Sequence, residues 1–298
     1  VGLKAPQCAG TTNPFACGFA VQQALAQAAG FPVGFGVPVP FNSVDAQKSD
    51  ARSYYNALSV NVNKRFTSHF EFLSSYTWSH SIDDGTDLQS TLEPADSRFP
   101  FFERANSVND QRHRWVTSGV IQTSPWRSGD SFLRSFASNF AVAPLVEWAS
   151  GRPFNVILGE DTRLDIGASQ IRPNLGGGTT SPYIHGVSFG APTTCLTNAG
   201  QPFTLAGITP PFGCVGNLGR NKFTMPSFFQ FDLRVSKGIN LGERVRLDLI
   251  ADAFNLFNHT NIIAVDQLCD PLAGVCTAGR PTSSADARQF QFALKLNW

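Results

Sequence analysis

Long apolar runs are missing from this 298-residue chain. No stretch approaches the roughly 18 consecutive apolar residues that a membrane-crossing helix needs, so no transmembrane helix is expected. Charge is scarce too. Charged residues make up 15% of the chain, against roughly 25% in soluble domains. The formal net charge is only +1. Without a basic excess there is no electrostatic footprint for nucleic acid, and no nucleic-acid partner is expected. No basic segment followed by an apolar run opens the chain, so no signal peptide is visible. The first residue is Val1 rather than Met, and the chain reads as a fragment or a processed product. CxxC pairs, histidines at metal-ligand spacing, haem motifs and phosphate-binding glycine loops are absent as well. Their absence removes the common zinc and cofactor signatures, and no metal or cofactor is expected.

Aromatics, by contrast, reach 12%, with 26 Phe. Low charge combined with many aromatics implies a surface that does not face water everywhere. A Phe-rich soluble β protein satisfies the same composition. The six cysteines, Cys8, Cys17, Cys195, Cys214, Cys269 and Cys276, fall into three sequence-local pairs inside Gly/Pro-rich stretches. That placement suggests disulfides and an oxidising compartment; free thiols are the alternative.

Residues 1–51 are rich in Gly, Pro, Ala and Phe and lack a sustained period, which predicts a long loop region with a short helix at 22–29. From Ser53 the pattern becomes period-two alternation, so residues 52–298 form the second unit. Leu58, Val60 and Val62 alternate with Ser59, Asn61 and Asn63; Phe229, Phe231, Leu233 and Val235 alternate with Gln230, Asp232, Arg234 and Ser236. The spacing predicts strands at about 52–65, 70–81, 112–123, 138–150, 226–237, 243–257 and 288–298. Pro144 is expected to interrupt the ladder of its strand.

Alternation alone marks any half-buried strand. Three features favour a membrane barrel over a soluble β-sandwich. The strands are long, near the 9–11 residues a tilted strand needs to cross a bilayer, where soluble strands run about 5–6. Short connections (67–69, about 124–137, 238–242) alternate with long ones (1–51, 82–111, 151–225, 258–285), as in outer-membrane barrels with tight periplasmic turns and long extracellular loops. All six cysteines fall in the long set. Asp232, Arg234, Arg246, Asp248 and Asp252 share the phase opposite the apolar residues, which puts them toward a lumen. Tyr76, Trp78, Trp148, Phe257 and Trp298 lie near strand ends, where aromatic girdles are expected. The expected fold is therefore all-β, an antiparallel partial barrel with long extracellular loops. Seven is an odd strand count, so a strand is either hidden near Pro153–Leu158 or missing upstream, the latter being favoured.

Several segments resemble one family. They are YNALSVNVNKRF (55–66), SYTWSHSID (75–83), NDQRHRW (109–115), SGRPFNV (150–156), GRNKFTMPSFFQFDLRVSKGINL (219–241), RVRLDLIADAFNLFNHTN (244–261) and RQFQFALKLNW (288–298). In this order they resemble the Oar-like TonB-dependent outer-membrane receptors with a carboxypeptidase-regulatory-like domain. The terminal residues Phe290, Phe292, Leu294, Leu296 and Trp298 resemble the signal read by the barrel-assembly machinery, although the glycine frequent in that signal is absent. The resemblance implies a barrel of about 22 strands, a plug inside it, and energy-coupled uptake of a large or scarce ligand. The implied partners are outer-membrane lipid, the barrel-assembly machinery and, through an N-terminal part missing here, the TonB complex. A small self-contained barrel with a structural or adhesive role is the second reading.

Enzyme chemistry is weighed against this. Gly186-Val187-Ser188-Phe189-Gly190 matches G-x-S-x-G, which in a serine esterase would make Ser188 the nucleophile and His113, His259 or His185 the base. A nucleophile elbow needs a strand before and a helix after, and both flanks read as loop, so no enzyme is expected. Asp83, Asp84 and Asp87 offer oxygen ligands for calcium but lack EF-hand spacing, and a solvated acidic loop is the plainer reading.

Overall fold

The computed structural model describes residues 51–67, 69–85, 94–95, 100–123, 138–159, 162, 171–193, 214–241 and 245–298. The expectations for residues 1–50 and for the 124–137 connection lie outside these.

Long strands form where aromatic and β-branched residues alternate with Ser, Thr and Asn, a pattern suited to a pleated surface. They are β1 (Ser53–Thr67), β2 (Phe70–Asp83), β3 (His113–Gln122), β4 (Phe140–Ala149), β5 (Phe228–Asn240), β6 (Arg246–Phe254) and β7 (Gln289–Asn297). Each pairs antiparallel with the next in the chain, giving one up-and-down sheet; the short strand Ala105–Asn106 adds to β2. Among the described residues, β1 and β7 have no further partner, so the sheet is open along both edges.

The registers decide what each face is. Phe70 lies opposite Ile121, Ile121 opposite Val142, Val142 opposite Val235, Val235 opposite Ala251 and Ala251 opposite Phe292. One apolar row thus crosses six strands. A row of the opposite phase, Asn61, Ser75, Val116, Glu147 and Gln230, is largely polar. A slip of one residue in any pair would exchange the faces from that strand onward. The apolar row starts at the first residue of β2 and reaches β7 in its fourth, so it climbs from the tight-turn rim toward the long-loop rim. That stagger is the shear of tilted barrel strands.

Two expectations need correction. β5 continues through Asn240, and the connection 238–242 shifts to 241–245, closed by the Leu241 N–H on the Val245 carbonyl at 2.9 Å. Gly238 lies inside the strand, paired with Asp248 on β6, and the Arg246 guanidinium packs over it. Pro144 breaks the ladder on one side only. The β3–β4 ladder stops at Ser118–Leu145 and resumes at Ile121–Val142, while Pro144 keeps its place opposite Leu233 on β5.

Most of the core is not in the sheet. Of the buried apolar residues described, only Ala149 and Ala253 belong to the long strands. The rest, among them Phe154, Val156, Leu158, Ile171, Phe189 and Leu218, come from the long connections. The described parts of the 151–225 region, expected to be mostly loop, include short strands. Pro153–Phe154 pairs with Phe223–Thr224, and Asn174–Thr180 pairs with Ser188–Gly190. No eighth barrel strand lies at Pro153–Leu158; its apolar side chains fill this loop core instead. Each large side chain buried there contributes about 1.5–3 kcal/mol. Gly151 admits the chain at the rim, since a Cβ would lie 1.6 Å from the Met225 carbonyl oxygen.

Candidate functional site

The sheet offers two faces and a roofed rim. On the polar face a trough of about 560 Å³ runs across β1 to β6, with Asn63, Glu71, Ser118, Asp232, Arg234 and Asp252 in its lining. Three ion pairs lie within this face. Arg234 grips Asp252 in a two-pronged bridge at 2.6 and 3.0 Å, and Arg114 donates to Glu147 at 2.9 Å. The Gln230 amide donates to both Asp232 oxygens at 3.0 Å. Arg246 bonds Asp248, which also accepts from Asn297. The result is a wall that mixes ion pairs with apolar side chains such as Leu73, Leu145 and Phe254. Among the described residues no group of His, Cys, Asp and Glu could hold a metal ion.

The opposite face carries the aromatics. Tyr76 lies opposite Trp115, Trp115 opposite Trp148 and Trp148 opposite Phe229, and the Phe229 ring stacks on Phe257. This girdle follows the long-loop rim of the central strands. It takes in Tyr76, Trp148 and Phe257 as expected, and adds Trp115 and Phe229, whose membership depends on register. Hydroxyls on this face are satisfied among themselves. Ser74 and Thr117 share a hydrogen bond of 2.7 Å, and the Trp115 indole donates to Ser74 at 3.0 Å, which lowers the cost of placing them in lipid. In β7, Phe290, Phe292, Leu294 and Leu296 all project from this face, with Phe292 78% and Leu294 75% exposed. Trp298 follows at the opposite, tight-turn rim, 91% exposed.

The long loops close over the rim through buried polar groups that sequence reasoning missed. Arg172 donates to both Glu103 oxygens at 2.8 and 2.9 Å and to the Leu218 carbonyl at 2.8 Å. Arg220 donates to the Glu103 carbonyl at 2.7 Å and bridges to Asp83 at the end of β2. Asparagines stitch the strand ends to the loops. Asn255, at φ 48°, accepts from the His259 N–H and donates to the His259 and Asp286 carbonyls. Asn261 accepts from the Phe229 N–H and donates back to its carbonyl. Asp110 accepts from the Ser81 N–H at 2.7 Å. The segments FNLFNHTN, NDQRHRW and GRNKF therefore share one physical task, pinning strand ends beneath the loop layer. Their short polar side chains beside apolar strands were the available signal.

Further out, Cys269 is bonded to Cys276, and Cys214 is also disulfide-bonded. Cys8, Cys17 and Cys195 lie outside the described residues. Beside the Cys269–Cys276 hairpin, burial pushes the Asp266 carboxyl up. The Leu268 N–H, the Thr277 hydroxyl, the Arg280 guanidinium and the Gln267 N–H outweigh it and hold the carboxyl below its usual range. Ser188 opens a short strand after a turn at 182–186, so no strand–turn–helix elbow forms. His113 is bonded to Tyr76 and His259 to Asn261, while His185 is exposed in the turn before Ser188. Of the acidic trio, Asp83 takes Arg220 and Asp84 takes the Arg52 N–H; Asp87 lies outside the described residues.

An antiparallel sheet of strands 9 to 15 residues long, apolar outside and polar inside, with tight turns at one rim and packed loops at the other, is the wall of a transmembrane β-barrel. The sequence comparison names the family. Residues 8–291 match the outer membrane beta barrel domain, so the chain belongs to that family and to the bacterial outer membrane. No curated protein and no solved structure is significantly similar to it.

Proposed function

We propose that this chain is the C-terminal barrel portion of a TonB-dependent receptor of the Oar-like type, and that the whole protein takes up a ligand across the outer membrane by energy coupling. The observation that carries the reading is the width of the trough, which spans β1 to β6 while both sheet edges stay open among the described residues. Small barrels of about eight strands fill their interior with side chains, whereas wide ones leave a lumen that a plug can occupy. A wall that carries three ion pairs suits a lumen of that kind. In this reading β7 is read by the barrel-assembly machinery, lipid surrounds the apolar face, a segment upstream of Val1 contacts TonB, and the chain performs no catalysis.

The test is to express the complete reading frame and purify the protein from outer membranes. Binding of the periplasmic domain of TonB, together with a protease-resistant plug upstream of Val1, is the expected result. A reading frame that begins with a secretion signal directly before Val1, and a product that does not bind TonB, would overturn it.

A further inference from the structure

The lipid-facing phase of the seven strands is nearly free of charge. Apart from Arg65, which falls in the β1 bulge, its Asp, Glu, Lys and Arg residues are Lys64 on β1 and Lys237 on β5. Both occupy equivalent positions. Lys64 lies three residues before the β1 end at Thr67, and Lys237 three residues before the β5 end at Asn240. Both ends face the tight-turn rim.

The two side chains also lean the same way. The Lys64 ammonium donates to the Thr67 hydroxyl at 2.8 Å and to the Thr67 and Phe70 carbonyls at 3.2 and 3.3 Å. These residues flank the β1–β2 turn. The ammonium lies 3.6 Å above the Phe70 ring. Lys237 donates to the Ser138 carbonyl, just ahead of β4, and lies 4.6 Å from the Phe140 ring centre. Each chain thus runs its stem over apolar surface and delivers its charge toward the rim, as long cationic side chains do at a membrane interface. The acceptors around Lys64 are neutral oxygens, and among the described residues no acid pairs with it. Its positive charge therefore faces the lipid side uncompensated.

We propose that Lys64 and Lys237 bind the phosphate headgroups of anionic phospholipid in the periplasmic leaflet, with Lys64 as the principal contact. The tight-turn rim is the periplasmic one in outer-membrane barrels. A lysine near an anionic lipid surface contributes about 1 kcal/mol, which corresponds to roughly fivefold in local occupancy, and salt weakens it. The phenylalanine beneath each ammonium fixes its height at the hydrocarbon boundary, so the pair also sets how deep the barrel sits.

The test uses the full-length protein in neutral detergent, with phosphatidylglycerol and phosphatidylcholine added separately and retained lipid counted by native mass spectrometry. Wild type should prefer phosphatidylglycerol. Lys64→Gln should weaken its binding about fivefold, Lys64→Arg should preserve it, and Lys237→Gln should weaken it further in the double variant. Lys295→Gln, on the lumen-facing phase, should change nothing. A heat-dependent gel shift confirms that each variant is folded. Equal retention of the two lipids by wild type, or unchanged phosphatidylglycerol binding in the Lys64→Gln, Lys237→Gln double variant, would overturn the proposal. The readout needs neither TonB nor a transported ligand, so it fails separately from the transport reading.

Discussion

Replacing Glu103 with Gln should open the loop layer while leaving the barrel wall intact. The Glu103 side chain is 1% exposed and neutralises Arg172, which is 5% exposed and bound to both of its oxygens. It also lies 3.8 Å from the Arg220 guanidinium. Glutamine keeps the volume but removes the charge and turns one acceptor into a donor aimed at a cation. Breaking a buried ion pair from one side costs about 3–5 kcal/mol, because the remaining charge stays desolvated. Arg220 retains Asp83, so Arg172 bears most of the loss. At about 1.4 kcal/mol per factor of ten, local opening of the loops should become roughly 100- to 4,000-fold more frequent. Hydrogen exchange reads this directly. The amides of Leu158, Leu218 and Met225, bonded across the loop layer to Ile171, Pro173 and Arg152, should lose protection by that factor, while strand amides such as Ser236 keep theirs. Replacing both partners, Glu103→Leu with Arg172→Leu, should cost less than Glu103→Gln alone, since no orphan charge is left. A loss below tenfold in the loops, or an equal loss in the strands, would refute the reasoning.

Other expectations follow from the same geometry. Leu294→Arg, on the lipid face, should destabilise the folded barrel by about 2–4 kcal/mol, whereas Ala293→Arg on the lumen phase should cost far less; urea titration of protein folded in vesicles compares them, and equal costs would mean the phase is misassigned. The Asp266 carboxyl has a folded pKa below its unfolded value of about 3.9, so its stabilisation is complete above that value and is lost as pH falls through the folded pKa. As pH falls below about 3.9, pepsin should therefore begin to cut wild type at the Cys269–Cys276 hairpin, while Asp266→Asn should be cut equally throughout. Asn255→Ala should destabilise the rim more than Asn255→Gly by about 1 kcal/mol, because both lose the side-chain bonds but only alanine resents φ 48°; thermal scans of the two variants check the order.

Much of this architecture was readable from residue order alone. Period-two alternation located all seven long strands, because side-chain direction in a strand is fixed by the pleat and needs no tertiary information. Connection lengths separated the two rims, and the apolar phase of β7 showed which of its residues meet lipid. Boundaries were less legible. The glycine at 238 signalled a turn, yet it sits within the ladder opposite Asp248, a pairing made by the next strand. The proline at 144 signalled a break, yet a missing N–H affects only the neighbour on one side.

What the sequence could not contain was register and long-range pairing. Each strand has an apolar and a polar edge by itself, but seven such strands make a lipid face and a lumen face only when the pairings align their phases. Trp115 and Phe229 join the girdle through that alignment. The loop core lay further out of reach. Glu103, Arg172 and Arg220 stand far apart in the chain, in stretches without periodicity, and each alone reads as a solvated charge. Their burial depends on three loops meeting above the strands, because charges leave water only when opposite charges and carbonyls wait for them. By itself the sequence determined a membrane β wall and which phase of each strand meets lipid; the tertiary structure decided how the strands align those phases into one face and what packs over the outer rim.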